Sequence, residues 1–246
     1  MILALLSDVH SNLEALRACL AHAEERGARE FAFLGDLVGY GADPASVIEL
    51  TREFAARGAI VLKGNHDEAV NAPSAWLNAS AAAAIEWTRR VLSAEDRAYL
   101  DMLPLCVRDH GACFVHASAA RPESWEYVDS VSAAERSVAA AGTAYTFSGH
   151  VHEQALFVSA AQDRMIVFRP KPGVPIPVGT HRRWLALVGS VGQPRDGNPA
   201  AAYATFDTEW RSVTFHRVPY DNRAAARKIR EAGLPEALAY RLERGI

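Results

Sequence analysis

Five times along this chain a predicted strand runs into a knot of side chains that carry lone pairs. The knots are Asp8-Val9-His10, Gly35-Asp36, Gly64-Asn65-His66-Asp67, Val115-His116 and Gly149-His150-Val151-His152. Strand ends in an open α/β sheet are where ligand crevices form, so a fold that serves all five must bring those ends together. Spacing matters in the first and last knots. In an extended backbone residues i and i+2 point the same way, so Asp8 with His10, and His150 with His152, are expected to converge.

The segments between the knots agree with a layered α/β domain. Residues 2–6 form an unbroken apolar run, as in a strand buried on both faces. Ser11 and Asn12 can cap the following helix, whose Leu13, Leu16 and Leu20 share a face. Strands are expected at 31–34 and 59–62. Asp43-Pro44 opens a helix between them, with Val47, Ile48, Leu50 and Phe54 facing the core. Residues 74–102 read as helical. Strands then dominate, at 105–109, 112–116, 145–148, 154–158, 163–168, 184–188, 202–207 and 211–216, with one helix near 131–141. Residues 169–180 hold four prolines and read as a loop. Helices at 221–231 and 235–243 close what reads as a single domain spanning residues 1–246.

Half the residues are hydrophobic, enough for a sizeable core, and the formal net charge of −3 lacks the basic excess of a dedicated nucleic-acid binder. Cys19, Cys106 and Cys113 are odd in number and form no C-x-x-C pair, which fits a reduced compartment. A turn at His110-Gly111 pairs Cys106 with Val115 rather than with Cys113. The apolar run that opens the chain is too short for a signal peptide, and no stretch approaches the roughly 20 apolar residues of a membrane span. These features lead us to expect a soluble, cytoplasmic protein.

Asp8, His10, Asp36, Asn65, His116, His150 and His152 make four imidazoles, two carboxylates and one amide. That is too many ligands for a single four- to six-coordinate ion. A carboxylate can bridge two ions about 3.5–4 Å apart. Imidazole without thiolate favours Mn, Fe, Zn or Ni over Mg or Ca. Two divalent ions, two aspartates and a bridging hydroxide leave a net charge of about +1, which attracts a phosphate group, and the ions acidify the water between them.

Taken in order, the five motifs resemble the calcineurin-like metallophosphoesterase superfamily, and most of all its small bacterial and archaeal phosphodiesterase branch. The resemblance covers roughly residues 2–215. It implies a two-sheet β-sandwich flanked by helices, a four-layer α/β/β/α fold. It implies that Asp8, His10 and His152 hold one metal, that Asn65, His116 and His150 hold the other, and that Asp36 bridges. His66 would protonate the leaving oxygen or steady the transition state, with Asp67 orienting it.

The same resemblance admits a non-catalytic protein scaffold or a nuclease. Scaffold relatives depart from the motif at the catalytic histidine, which is kept here as His66, and nuclease relatives carry added DNA-binding parts. The expected partner is therefore a small phosphoester. The loop 189–198 resembles one that borders the active site in this branch, making Arg195 a substrate contact. With a single arginine at the rim, the charge balance favours a monoanionic diester over a dianionic monoester. His22, His110, His181 and His216 lie outside the motifs and read as surface or strand residues. Gly39, Tyr40 and Gly41 read as a tight turn that could also shape the pocket rim.

Overall fold

The computed structural model describes residues 1–72, 77–160 and 164–246. Two mixed six-stranded sheets face each other. The first runs in the order β3 (Ile60–Val61), β2 (Ala28–Phe33), β1 (Ile2–Leu6), β11 (Ala201–Asp207), β12 (Ser212–Val218), β9 (Ile176–Pro177). The second runs β4 (Cys106–Asp109), β5 (Ala112–Val115), β6 (Tyr145–Ser148), β10 (Trp184–Val188), β7 (Gln154–Ser159), β8 (Met165–Phe168).

Strand alternation decides what lies on each side. In β1, Leu3 and Leu5 face the other sheet and meet Phe114, Phe147, Phe206 and Phe215, whereas Ala4 and Leu6 face outward to α1 (Leu13–Glu25) and α2 (Pro44–Ala56). On the far side Phe157, Leu185 and Leu187 pack against Ala134 and Val138 of α6 (Val131–Ala141). Helix, sheet, sheet and helix thus form the four layers expected from the resemblance. β1 is parallel to β2 and antiparallel to β11, so the loops after β1 and β2 leave the sheet at one end.

Two expectations change in detail. The helical stretch at 74–102 is two helices, α4 (Ala79–Val91) and α5 (Ala94–Met102), because Ser93 turns extended and caps the second through Asp96 N. Residues 74–76 lie outside the described residues. The proline-rich loop contains β9, which pairs with β12 at the sheet edge, where a proline removes no ladder bond that another strand needs. His216 is buried on β12, stacked on Tyr203 and bonded to Thr205 Oγ1 at 2.9 Å.

Other details follow the sequence. Asn12 caps α1, and Cys106 sits opposite Val115 with all three cysteines free. The C-terminal helices α7 (Asn222–Glu231) and α8 (Glu236–Arg244) pack on each other, and Ile229, Leu238 and Leu242 join Ala81 and Ala84 of α4 in one cluster. Among the described residues no helix is long and apolar enough to cross a membrane.

Candidate metal centre

The strand-end knots do meet, but not by continuing their strands. β1 ends at Leu6 and β6 at Ser148, and Asp8, His10, Asp36, His150 and His152 all have φ between 50° and 66°. The extended-backbone argument for i, i+2 convergence is therefore corrected: Asp8 with His10, and His150 with His152, converge because each bears a left-handed turn. That conformation costs a non-glycine residue about 1–2 kcal/mol, and the loops are tied to hold it. Asp8 N, His10 N and Ser11 N donate to Gly35 O, Asp36 O and Leu37 O at 2.9–3.0 Å, and Gly192 N donates to Asp8 O at 2.9 Å. Each strand-end loop is thus fixed by its neighbour.

Two groups of donors result. Asp8, His10, Asp36 and His152 place ligand atoms within 4.8 Å of one another, as do Asp36, His116 and His150. Asn65 Oδ1 joins the second group, 3.2 Å from His116 Nε2. Asp36 belongs to both, its Oδ2 lying 3.6 Å from His10 Nε2 and 3.4 Å from His116 Nε2. Its other oxygen, Oδ1, accepts from His66 N at 2.8 Å. Asp8 divides its oxygens likewise: Oδ2 accepts from His150 N at 2.9 Å, and Oδ1, 3.2 Å from His152 Nε2, has no hydrogen-bond partner among the described residues. Gly64 makes room for this, because a Cβ there would lie 2.1 Å from Asp36 Oδ1.

The imidazole tautomers show what the centre suits. Nδ1 of His10, His116 and His152 faces the carbonyls of Val38, Leu34 and Gln193 at 3.2, 2.7 and 2.6 Å. A carbonyl only accepts, so each Nδ1 carries the proton and each Nε2 turns its lone pair inward. His10 Nε2 and His152 Nε2 then stand 3.1 Å apart, acceptor against acceptor, a contact that calls for a cation between them. The donor set is all nitrogen and oxygen and nearly fully buried, and it fits divalent transition-metal ions.

Charges around the centre pull against burial. Burial alone would raise the Asp36 carboxyl, but His116 and His66 hold it well below the usual range. Burial would lower His116, but the Asp36 charge raises it to about 9.

His66 stands beside this centre, its ring 4.8 Å from that of His10, and burial lowers its pKa to about 4 against the pull of Asp36. Asp67 does not bond the His66 ring: its two oxygens accept from Val38 N at 3.1 Å and Gly64 N at 2.9 Å. Burial and the Asp36 charge raise its pKa to about 7. It pins the two loops that carry Asp36 and Asn65.

Arg195 reaches the site, donating to Gln193 Oε1 at 3.1 Å and to Tyr40 Oη at 3.4 Å. Tyr40, in the turn after Asp36, packs on the His10 and His66 rings at 4.5 Å, so this turn also forms the rim. Above the donors lies a pocket of about 220 Å³, with Asn65, His66 and His150 on its floor and Tyr40, Tyr127 and Arg195 above them. Leu77, Asn78, Ala81, Arg241 and Ile246 complete its wall.

Sequence reasoning missed Tyr127, which stacks on His150 at 4.0 Å, and Arg241, from α8. Neither belongs to a motif. Arg241 reaches the pocket only because α8 docks on α4, which the local sequence does not reveal.

Comparison with known proteins agrees with this architecture. Residues 1–211 match the model of the calcineurin-like phosphoesterase superfamily domain. The uncharacterized protein MJ0912 of Methanocaldococcus jannaschii is 36% identical over 252 residues, covering 98% of this chain and 97% of its own. The crystal structure of a metallophosphoesterase from Sphaerobacter thermophilus superposes with a TM-score of 0.89 at 38% identity, covering 100% of this chain and 99% of that one. Hypothetical protein PH1004 from Pyrococcus horikoshii OT3 shares the fold, with a TM-score of 0.80 at 21% identity over 100% and 98% of the two chains.

Proposed function

The chain belongs to the calcineurin-like phosphoesterase superfamily, and from that premise we propose that it hydrolyses a small phosphoester with two divalent transition-metal ions, of Mn, Fe, Zn or Ni, on either side of Asp36. Asp8, His10 and His152 hold one ion, Asn65, His116 and His150 hold the other, and Asp36 serves both. The observation that carries this reading is the position of Asp36 Oδ2, within 3.6 Å of His10 Nε2 and 3.4 Å of His116 Nε2. A carboxylate oxygen that faces both donor groups is what a shared ligand requires. Bound there, the ions would supply an acidified water as nucleophile and offset charge on the phosphoryl oxygens.

The chain's own groups prepare the reaction. Carbonyl partners fix three imidazoles as inward acceptors. Amides of His150 and His66 occupy one oxygen each of Asp8 and Asp36, turning the other inward. His66, at the pocket floor, gives a proton or a hydrogen bond to the leaving oxygen. Arg195 binds a phosphoryl oxygen. The whole chain works as one domain, with α7 and α8 closing the pocket wall. The expected preference for diesters rests on Arg195 as the arginine beside the metal ligands; Arg241 lines the same pocket, and kcat/KM for matched mono- and diesters decides between the two classes.

The test is hydrolysis of aryl mono- and diesters by chelator-stripped protein reconstituted with each metal separately. We expect no turnover without metal and restored turnover with at least one of the four. Full metal loading without turnover of any ester would reject the enzyme reading and leave the scaffold alternative.

A further inference from the structure

The pocket has an outer end that hydrolysis at the metal centre does not use. Arg241, on α8, and Asn78, at the start of α4, both line the pocket. Arg241 is partly buried, and among the described residues it has no carboxylate partner. Its neighbours on α7 differ: Lys228 is held by Glu14 and Asp43, and Arg230 by Glu236 and Glu243. A partly buried cation without a partner has lost some hydration with no pairing to offset it, while the apolar side chains of Leu77, Ala81 and Ile246 that line the same pocket strengthen any charge it meets. The Asn78 amide oxygen accepts from Ala81 N, which leaves its NH₂ group as a donor.

Arg241 and Arg195 occupy different depths. Arg195 lies over Tyr40, whose ring packs on His10 and His66, and so belongs to the metal end. Arg241 belongs to the end formed where α8 docks on α4 through Leu238 and Leu242. The two ends are tied together: Gly197 N, two residues past Arg195, donates to Gly245 O at 2.8 Å. Gly245 has φ +70°, and a Cβ there would meet the Asn198 backbone at 2.5 Å, so α8 sits tightly on the Arg195 loop. The spacing between the two segments that carry the cations is therefore fixed by the fold.

From this we propose that Arg241, with the Asn78 amide, forms a second anion subsite facing the metal centre, so that the substrate is a phosphoester whose leaving group itself carries a phosphate or carboxylate. The inference deepens the phosphoesterase reading and rests on it for the name of the reaction, not for the subsite. At about 220 Å³ the pocket falls below the roughly 300–1,000 Å³ of drug-sized sites. It takes a compact ester with two anionic ends rather than a polymer strand.

Binding of two non-hydrolysable probes, benzylphosphonate and 4-carboxybenzylphosphonate, to the metal-loaded protein separates these ideas by calorimetry. A charge-assisted hydrogen bond predicts that the carboxylated probe binds about tenfold tighter or better. Arg241→Gln, which keeps the side-chain stem, brings the two affinities together, and Arg241→Lys keeps part of the difference. Equal affinities in the wild type, or a difference that Arg241→Gln leaves intact, overturn the subsite. A binding difference without turnover of any phosphoester supports the subsite while rejecting the phosphoesterase reading. Turnover without a binding difference does the reverse.

Discussion

The metal centre is made largely of strand-end loops that carry their ligands in left-handed turns, whereas the pocket wall that holds Asn78 and Arg241 is ordinary helix surface. In the centre, Asp8, His10, Asp36, His150 and His152 all hold φ between 50° and 66°, and backbone hydrogen bonds between neighbouring loops brace them. On the wall, Asn78 and Arg241 sit at the start of one helix and in the body of another, with nothing strained about them. The difference teaches where the fold spends stability. Strain is accepted where several donors must aim at one point to within a few tenths of an ångström. It is absent where one flexible cation need only reach a ligand.

If that contrast is right, substitutions on the floor should fall into distinct grades. His116→Ala removes an inward lone pair of the second donor group. Both bound metal and activity should fall, with kcat/KM lowered beyond the about 10²–10⁴-fold of a lost acid–base group. His66→Ala should keep the metal content of the wild type and lose about 10²–10⁴-fold in kcat. Elemental analysis beside kinetics reads both, and a His66→Ala protein that has lost its metal would erase the division between holding and reacting. Asp67→Asn should cost less, about 10–100-fold, the usual range for groups that orient ligands. It keeps the shape but weakens the acceptors for Val38 N and Gly64 N. A wild-type pH profile and rate in this variant would show that the Asp36 and Asn65 loops do not need the clamp.

The same contrast explains what could be read from the sequence. The floor was legible because its chemistry is local: each ligand stands at a strand end, in a motif with few other uses. Even so, the cause of convergence was misread at Asp8-Val9-His10 and His150-Val151-His152. Alternation of side chains holds within a strand, and these residues lie past the strand ends, where the loops are shaped by amides from other loops. Asp67 stood in a motif, yet only the fold shows that it accepts backbone amides rather than the His66 ring. The sandwich core was legible in Leu3, Leu5, Phe114 and Phe147. β9 was not, because two residues among four prolines carry no strand signal of their own. The wall was illegible for a different reason: Arg241 becomes a pocket residue only through the docking of α8 on α4, a contact between segments far apart in sequence.

The central claim is that Asp36 joins two metal sites into one centre, and the number of ions bound tests it most directly. Elemental analysis of reconstituted wild type and of Asp36→Ala, each after removal of loose metal, gives that number. The account predicts close to two transition-metal ions per chain in the wild type and a clear loss in Asp36→Ala, because each donor group then loses the carboxylate it shares with the other. A wild type that never exceeds one ion, or an Asp36→Ala protein that still holds two, would contradict it.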